Sequence, residues 1–302
     1  MRAGYNGERY VRATLASIKK QSYGNFRVLI SDDASTDASA EICRSFTEDP
    51  RFSLVVQPER LGWVANANWA LRAATGDFVC ITPHDDLLDP RYIDTLVQRL
   101  VEEPRAAMVF CDMREFGVLD QILIQPDLCG SPSERLIGFM AKHYDAAAYR
   151  GLVRREVIAA EGGLEGNAAH DFAADLIYIA RTARAGEVRR IPQVLYYKRR
   201  HIESASLQWD PWTKDMKIEA WRLHCCQLLD VALALDLTGA EQKRIVRASV
   251  KRLLQAEPKR PFPFIRRLPR QEKLALVASL LDVARKQGGA LRKLAPDDFV
   301  KS

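Results

Sequence analysis

In the first third of the chain, short apolar runs alternate with stretches in which apolar residues recur every three or four positions. The runs at 26–31, 52–57, 78–82 and 107–112 predict strands, and the intervening stretches at 8–19, 37–46, 64–75 and 90–102 predict helices. This is the rhythm of a doubly wound α/β sheet with flanking helices. Gly76 falls where a helix C-terminus is expected, and Asp89-Pro90 supplies a cap followed by the residue best tolerated in a first turn. The middle third is less regular. Ser131-Pro132-Ser133-Glu134 has the form of a capping box, 171–185 predicts a helix closed by Gly186, and 151–153 and 190–197 predict extended pieces. Beyond Ser206 the pattern is helical, at 212–235, 240–254 and 272–287, with no internal repeat. The start is unusual, because Gly4-Tyr5-Asn6 leads almost directly into a helix. Such a sheet normally opens with an apolar strand, so the expectation is an N-terminally truncated chain with a misassigned start.

Composition narrows the class. With 302 residues and 47% hydrophobic content the chain can bury a substantial core. The net charge of +6 is unevenly placed. Residues 207–302 hold 19 basic and 11 acidic side chains, which gives +8 there and −2 before it. Six cysteines form no C-x-x-C pair and several lie in apolar stretches, as expected for reduced thiols in the cytosol. No apolar run approaches the roughly 20 residues of a membrane span, and no signal-peptide pattern opens the chain. A cytoplasmic protein, or one held peripherally at the inner face of the cell membrane, is expected.

The candidate chemistry centres on His84-Asp85-Asp86-Leu87, directly after the apolar run 78–82. Adjacent carboxylates at the carboxyl end of a buried strand repel each other and resist desolvation, so they persist where a cation or a metal-bound polyphosphate neutralises them. Asp32 and Asp33 follow another strand and fall at the crevice where open α/β sheets bind ligands. The competing reading there is a capping turn built by Asp33, Ser35 and Asp37. Asp171 and Asp175, four positions apart, share one helix face.

Five elements occur in an order that resembles the family 2 glycosyltransferases, which have the GT-A nucleotide-sugar fold. Tyr5-Asn6-Gly7-Glu8-Arg9-Tyr10 resembles the Tyr-Asn-x-x-x-Tyr opening, and the segment from Ser31 to Asp37 resembles the Val-Asp-Asp-Gly-Ser-Thr-Asp signature. Leu61-Gly62 with Asn68, Gly76-Asp77 and His84-Asp85-Asp86 complete the five; beyond them, Tyr197-Lys198-Arg199-Arg200-His201 resembles the Tyr-Arg-x-His exit. The resemblance covers roughly residues 1–206. It implies a Rossmann-like mixed sheet, with 1–115 as the nucleotide-sugar-binding half and 116–206 as the acceptor half of a transferase domain. Residues 207–302 would form a basic helical appendage.

The resemblance also implies roles. Tyr5 would stack on the base; Asp32, Asp33, Asn68, His84 and Arg200 would line the donor site. Asp85, with Asp86 or His201, would hold Mg²⁺ or Mn²⁺ on the donor's diphosphate. Counting from Arg181, the general base falls on Asp175, with Asp171 as the runner-up. The implied activity is inverting transfer from a nucleotide-diphosphate sugar, a UDP-sugar, to a hydroxyl of a glycan or lipid-linked acceptor. Three positions depart from the pattern: Pro83 replaces the first carboxylate of an Asp-x-Asp, Ala174 replaces a common Glu, and Ala67 stands where many relatives carry Arg. These departures favour the alternative of a non-catalytic nucleotide-sugar or glycan-binding relative. In the tail, the aromatic and cationic residues of 258–270 suit contact with an anionic bilayer, or else a Pro-rich connection. No nucleic-acid recognition motif accompanies the charge.

Overall fold

The computed structural model describes residues 4–141, 146–201, 209, 211–254, 262–286 and 289–300. Contacts divide the chain into two units: 1–127, 145–164 and 186–204 form one, and 128–144, 165–185 and 205–302 form the other.

In the first unit, α1 (Glu8–Lys19) has an acid in its first turn and a base in its last, and buries Val11, Thr14, Leu15 and Ile18 on one face. Parallel strands β1 (Val28–Asp32) and β2 (Phe52–Val56) make one small sheet, accompanied by α2 (Ser39–Arg44) and α3 (Trp63–Ala73). A second sheet contains β3 (Phe78–Val79), β4 (Leu87–Leu88), β5 (Ala106–Gly117), β6 (Gln121–Leu123), β7 (Leu152–Arg154) and β8 (Glu187–Arg200). Its order is β3-β7-β5-β8-β4, with β6 on β5, and α6 (Arg155–Glu161) follows β7 directly. Only the β5–β8 pair in that sheet is parallel, so the sheet is mixed. The eight residues Ala106–Met113 are all buried because β5 is flanked by β7 and β8 and is faced by α4 (Tyr92–Glu102). The strand expected at 78–82 shrinks to two residues, since β7 offers partners only for Phe78 and Val79. From Cys80 to Asp86 the chain is irregular, and that stretch carries the acidic tetrad.

The second unit is helical. Ser131 and Glu134 close the expected capping box at the start of α5 (Pro132–Ala141), by Ser131 N–H to Glu134 Oε2 at 2.9 Å and Glu134 N–H to Ser131 Oγ at 3.3 Å. α7 (Ala174–Ala185), α8 (Lys214–Leu233), α9 (Gly239–Leu253) and α10 (Arg270–Lys286) complete its long helices. Thus α5 and α7, expected in the acceptor half, pack with the helices beyond residue 206. Trp221 of α8 is buried and donates its indole N–H to Leu253 O at 3.0 Å. Arg135 of α5 is buried and donates to three carbonyls: Ala183 at 2.5 Å, Gly130 at 2.5 Å and Arg184 at 2.9 Å. Two of these are at the end of α7, where unpaired carbonyls and the helix dipole favour a cation.

Arg135→Met should therefore leave buried carbonyls at the end of α7 without donors. The expected loss is about 1–3 kcal/mol, read as a lower urea midpoint followed by tryptophan fluorescence.

Candidate active site

The site builds from the N-terminal loop outward. Asn6 has a left-handed φ of 53°. Its side-chain oxygen accepts from Thr36 N–H at 2.9 Å, while its own N–H donates to Ser35 Oγ at 3.0 Å. Gly7 N–H donates to Ser39 Oγ at 2.7 Å, and Glu8 N–H to Asp37 Oδ2 at 3.1 Å. The loop is thereby fastened to the turn after β1. Its other side lies against the His84 ring, with which a Cβ at Gly4 or Gly7 would collide. Thr14 of α1 donates to His84 O at 2.7 Å. One bridge thus joins the Asp32-Asp33 turn to the His84-Asp85 loop.

Asp32 and Asp33 are both buried. Asp32 Oδ2 accepts from Ser35 N–H at 2.9 Å, and its other oxygen has no hydrogen-bond partner among the described residues. Asp33 reaches across to the start of α3, accepting from Leu61 N–H at 2.8 Å and Gly62 N–H at 3.1 Å. Gly62 sits there at φ 82°, in the left-handed region where a side chain is strained. Asp33 therefore fastens the loop ahead of α3 rather than capping its own turn, where Asp37 takes Ser39 N–H at 2.9 Å. Beside this loop the Arg60 guanidinium lies 4.1 Å from the centre of the Tyr5 ring, a cation–π stack with the exposed Arg60 outermost. Asn68 uses its amide on the backbone of Leu164, donating to its carbonyl at 2.9 Å and accepting its N–H at 2.7 Å. It holds the 162–164 loop.

The two carboxylates of the tetrad have different surroundings. Asp86 is 1% exposed. It accepts from Arg150 Nε at 3.0 Å, Tyr196 O–H at 2.8 Å and Arg199 N–H at 2.9 Å. Burial and the neighbouring Asp85 push its carboxyl upward, against the pull of Arg150. Asp85 Oδ2 lies 3.0 Å from His201 Nε2. Burial also pushes Asp85 upward, but the pull of His84 and Arg150 and the hydrogen bond with His201 outweigh it and hold its carboxyl below the usual range. Of the pair, Asp85 is the acid whose carboxyl is held lower. Arg199 donates through Nε to Asp85 O at 3.1 Å, and its guanidinium lies over the rings of Tyr10 and Phe116. Tyr10 stacks in turn on His201, with ring centroids 4.7 Å apart.

The structure brings Tyr5, Asp32, Asp33, His84 and Asp85 onto the loops joined by this bridge, and His201, just beyond β8, meets them through Asp85. It turns Arg200 toward the buried Glu115, at 3.5 Å, where Lys198 also pairs at 3.1 Å. Asp171 and Asp175 belong to the helical unit. Asp171 Oδ1 accepts from Asn167 N–H at 3.1 Å, and Asp175 Oδ1 from Leu176 N–H at 2.9 Å. Arg60, Arg150 and Tyr196 lie outside the sequence motifs, whereas the Tyr-Asn-x-x-x-Tyr pattern contains Tyr10 and the exit motif contains Arg199, neither with a role assigned.

The described residues contain no group of three or more His, Cys, Asp or Glu side chains able to hold a metal ion. An ionised carboxylate 3.0 Å from an imidazole nitrogen nevertheless fits a divalent cation that takes its remaining ligands from phosphate oxygens and water.

A crossover sheet with this acidic exit loop is the GT-A arrangement, and the comparisons agree. The family description "Glycosyl transferase family 2" matches residues 4–154, and the chain belongs to that family. It is 38% identical over 98 residues to the glycosyltransferase GlyA of Streptococcus pneumoniae serotype 4, covering 32% of this chain and 14% of GlyA. The chain spans 14%, 31% and 33% of the lengths of three curated bacterial relatives. Among solved structures it resembles S. aureus TarS 1-349 in complex with UDP-GlcNAc, with a TM-score of 0.60 at 16% identity over 97% of this chain and 90% of that one. It also resembles the mannosyltransferase PcManGT of Pyrobaculum calidifontis, in complex with GDP-Man and Mn²⁺, with a TM-score of 0.56 at 20% identity over 96% and 75% of the two chains.

Removing Asp86 would strand the Arg150 cation in the interior. Asp86→Ala should cost about 3–5 kcal/mol in a urea melt, whereas Asp85→Asn should leave the midpoint within about 1 kcal/mol.

Proposed function

We propose that this chain is an inverting, metal-dependent glycosyltransferase that moves a sugar from a UDP-sugar to a hydroxyl of a glycan or lipid-linked acceptor. The observation that carries the reading is the Asp85–His201 pair, with Arg199 beside it, on the loop that the Gly4–Gly7 bridge ties to the Asp32-Asp33 turn. Tyr5 and Arg60 form a flat surface for the base, and Asp32 offers its unpartnered oxygen to the nucleoside. Asp85 and His201 would hold Mg²⁺ or Mn²⁺; Asp86 serves as the anchor of the loop instead. The cation, when bound, would offset the charge that gathers on the leaving diphosphate. Arg199 rather than Arg200 is the cationic group we assign to that diphosphate, because Arg200 is drawn to Glu115.

The base is assigned to Asp175 through its register to Arg181 in the family pattern. It takes the proton of the acceptor hydroxyl as that oxygen bonds to the anomeric carbon. The bond from that carbon to the diphosphate oxygen breaks on the opposite face, and its electron pair leaves with the nucleoside diphosphate. Asp171, whose Oδ1 is engaged by Asn167 N–H, is the runner-up for that role. The complexes of TarS with UDP-GlcNAc and of PcManGT with GDP-Man and Mn²⁺ support a nucleotide-sugar donor and a divalent cation.

We place the enzyme in the cytoplasm, at the inner face of the membrane, in the assembly of cell-envelope polysaccharide. No described helix is long and apolar enough to cross a bilayer. Of the segment 258–270, residues 258–261 lie outside the described residues; Arg266 and Arg267 are exposed.

Two measurements test the proposal. Asp85→Asn should lose at least about 100-fold in sugar release from a panel of UDP- and GDP-sugars with Mn²⁺, and full turnover by this variant would refute the metal assignment. Asp175→Asn should lower kcat by about 100-fold or more with UDP affinity unchanged in calorimetry. UDP binding by the wild type without release of sugar from any donor would favour the non-catalytic alternative.

A further inference from the structure

The segment just before α7 is strained. His170, Asp171 and Ala173 have φ of 52°, 59° and 57°, left-handed values at three non-glycine residues within four positions. Two residues later comes Asp175. Such a backbone persists only where its surroundings over-determine it, and here the surroundings are explicit.

Asn167 is the hub. It accepts Ala169 N–H on Oδ1 at 3.0 Å and donates Nδ2–H to Phe172 O at 2.9 Å. Its own N–H goes to Asp171 Oδ1. From α8, Gln227 Oε1 accepts from Asn167 Nδ2 at 3.1 Å, while Gln227 Nε2 donates to Glu165 Oε1 and to Gly166 O, both at 3.3 Å. Glu165 also pairs with Arg181 of α7 at 3.3 Å. One glutamine therefore ties the entry to α7 onto α8. Phe172, 2% exposed, completes the hold in an aromatic socket. Its ring meets Trp209 edge-on at 4.7 Å, stacks on Phe262 at 5.7 Å and lies 6.1 Å from Trp212 and 6.2 Å from His224.

Every outside member of this clamp comes from beyond residue 206, the region that the family resemblance does not cover. We infer that Gln227, through Asn167, and the aromatic socket around Phe172 are positioning elements for the base-bearing turn, so that the C-terminal helices set the geometry of proton transfer. The inference rests on the reading of Asp175 as the base. Gln227 touches neither donor nor acceptor in this scheme; it acts by holding the backbone at the angles that aim Asp175.

The test uses the full chain and Gln227→Leu, with Gln227→Ala as a smaller truncation should the first not fold. Amide exchange across 167–176 should quicken by about 10-fold while the other helices keep their protection. With whichever sugar nucleotide of the UDP- and GDP-sugar panel gives the fastest sugar release, kcat should fall by about 10-fold at unchanged donor KM. In an Asp175→Asn background the substitution should cause no further loss. Unchanged exchange, or a folded Gln227→Leu with wild-type kcat, would overturn the positioning role. Wild-type turnover by Asp175→Asn alone would instead overturn the base assignment, leaving the exchange result to report on the clamp. Should no donor in the panel be turned over, the exchange measurement decides the clamp by itself.

Discussion

The first unit depends on a carboxylate that never meets solvent. Asp86 is enclosed by Arg150, Tyr196 and the Arg199 backbone, so one buried charge gathers the loop after β3, the residue ahead of β7 and the end of β8. A buried carboxylate needs donors in place of water, and three of them from two distant segments supply that need. The geometric result falls on its neighbour. With Asp86 fixed inward and Arg199 fixed at its N–H, Asp85 and His201 face each other, and the electrostatic asymmetry between the two acids follows from position alone.

The same economy appears on the other side of the crevice. Asp33, Asp37, Ser35 and Ser39 each make contacts that a structural account explains fully, yet those contacts decide where Tyr5, Arg60 and the His84 loop lie. Polar residues in the motifs are more often the scaffold of the site than its contact surface. Asn68 is the clearest case, since both ends of its amide are committed to Leu164.

Legibility followed the range of the interactions. The bounds of α1 agree with its apolar stripe because its face, its first-turn acid and its last-turn base are all local. The capping box at Ser131 is legible for the same reason. Strand length is not local: β5 extends to Gly117 because β8 runs beside it to Arg200, and β3 stops at Val79 because β7 does. The pairings of Arg150 and Arg199 with Asp86 are not legible because their partner lies 64 and 113 positions away. The helical periodicity of α5 and α7 shows which face is apolar but not what covers it, so their association with residues beyond 206 could not be read from pattern. The acidic tetrad was visible because its cost is local: two adjacent carboxylates after an apolar run.

The interleaving of the two units carries a consequence for synthesis. Unit two takes its pieces from 128–144, 165–185 and 205–302, so the chain passes back and forth before the last helices arrive. As the polypeptide leaves the ribosome, Leu136, Phe139 and Met140 of α5 and the apolar face of α7 emerge long before α8 and α9 exist to cover them. Their shielding in that interval falls to chaperones or to transient collapse.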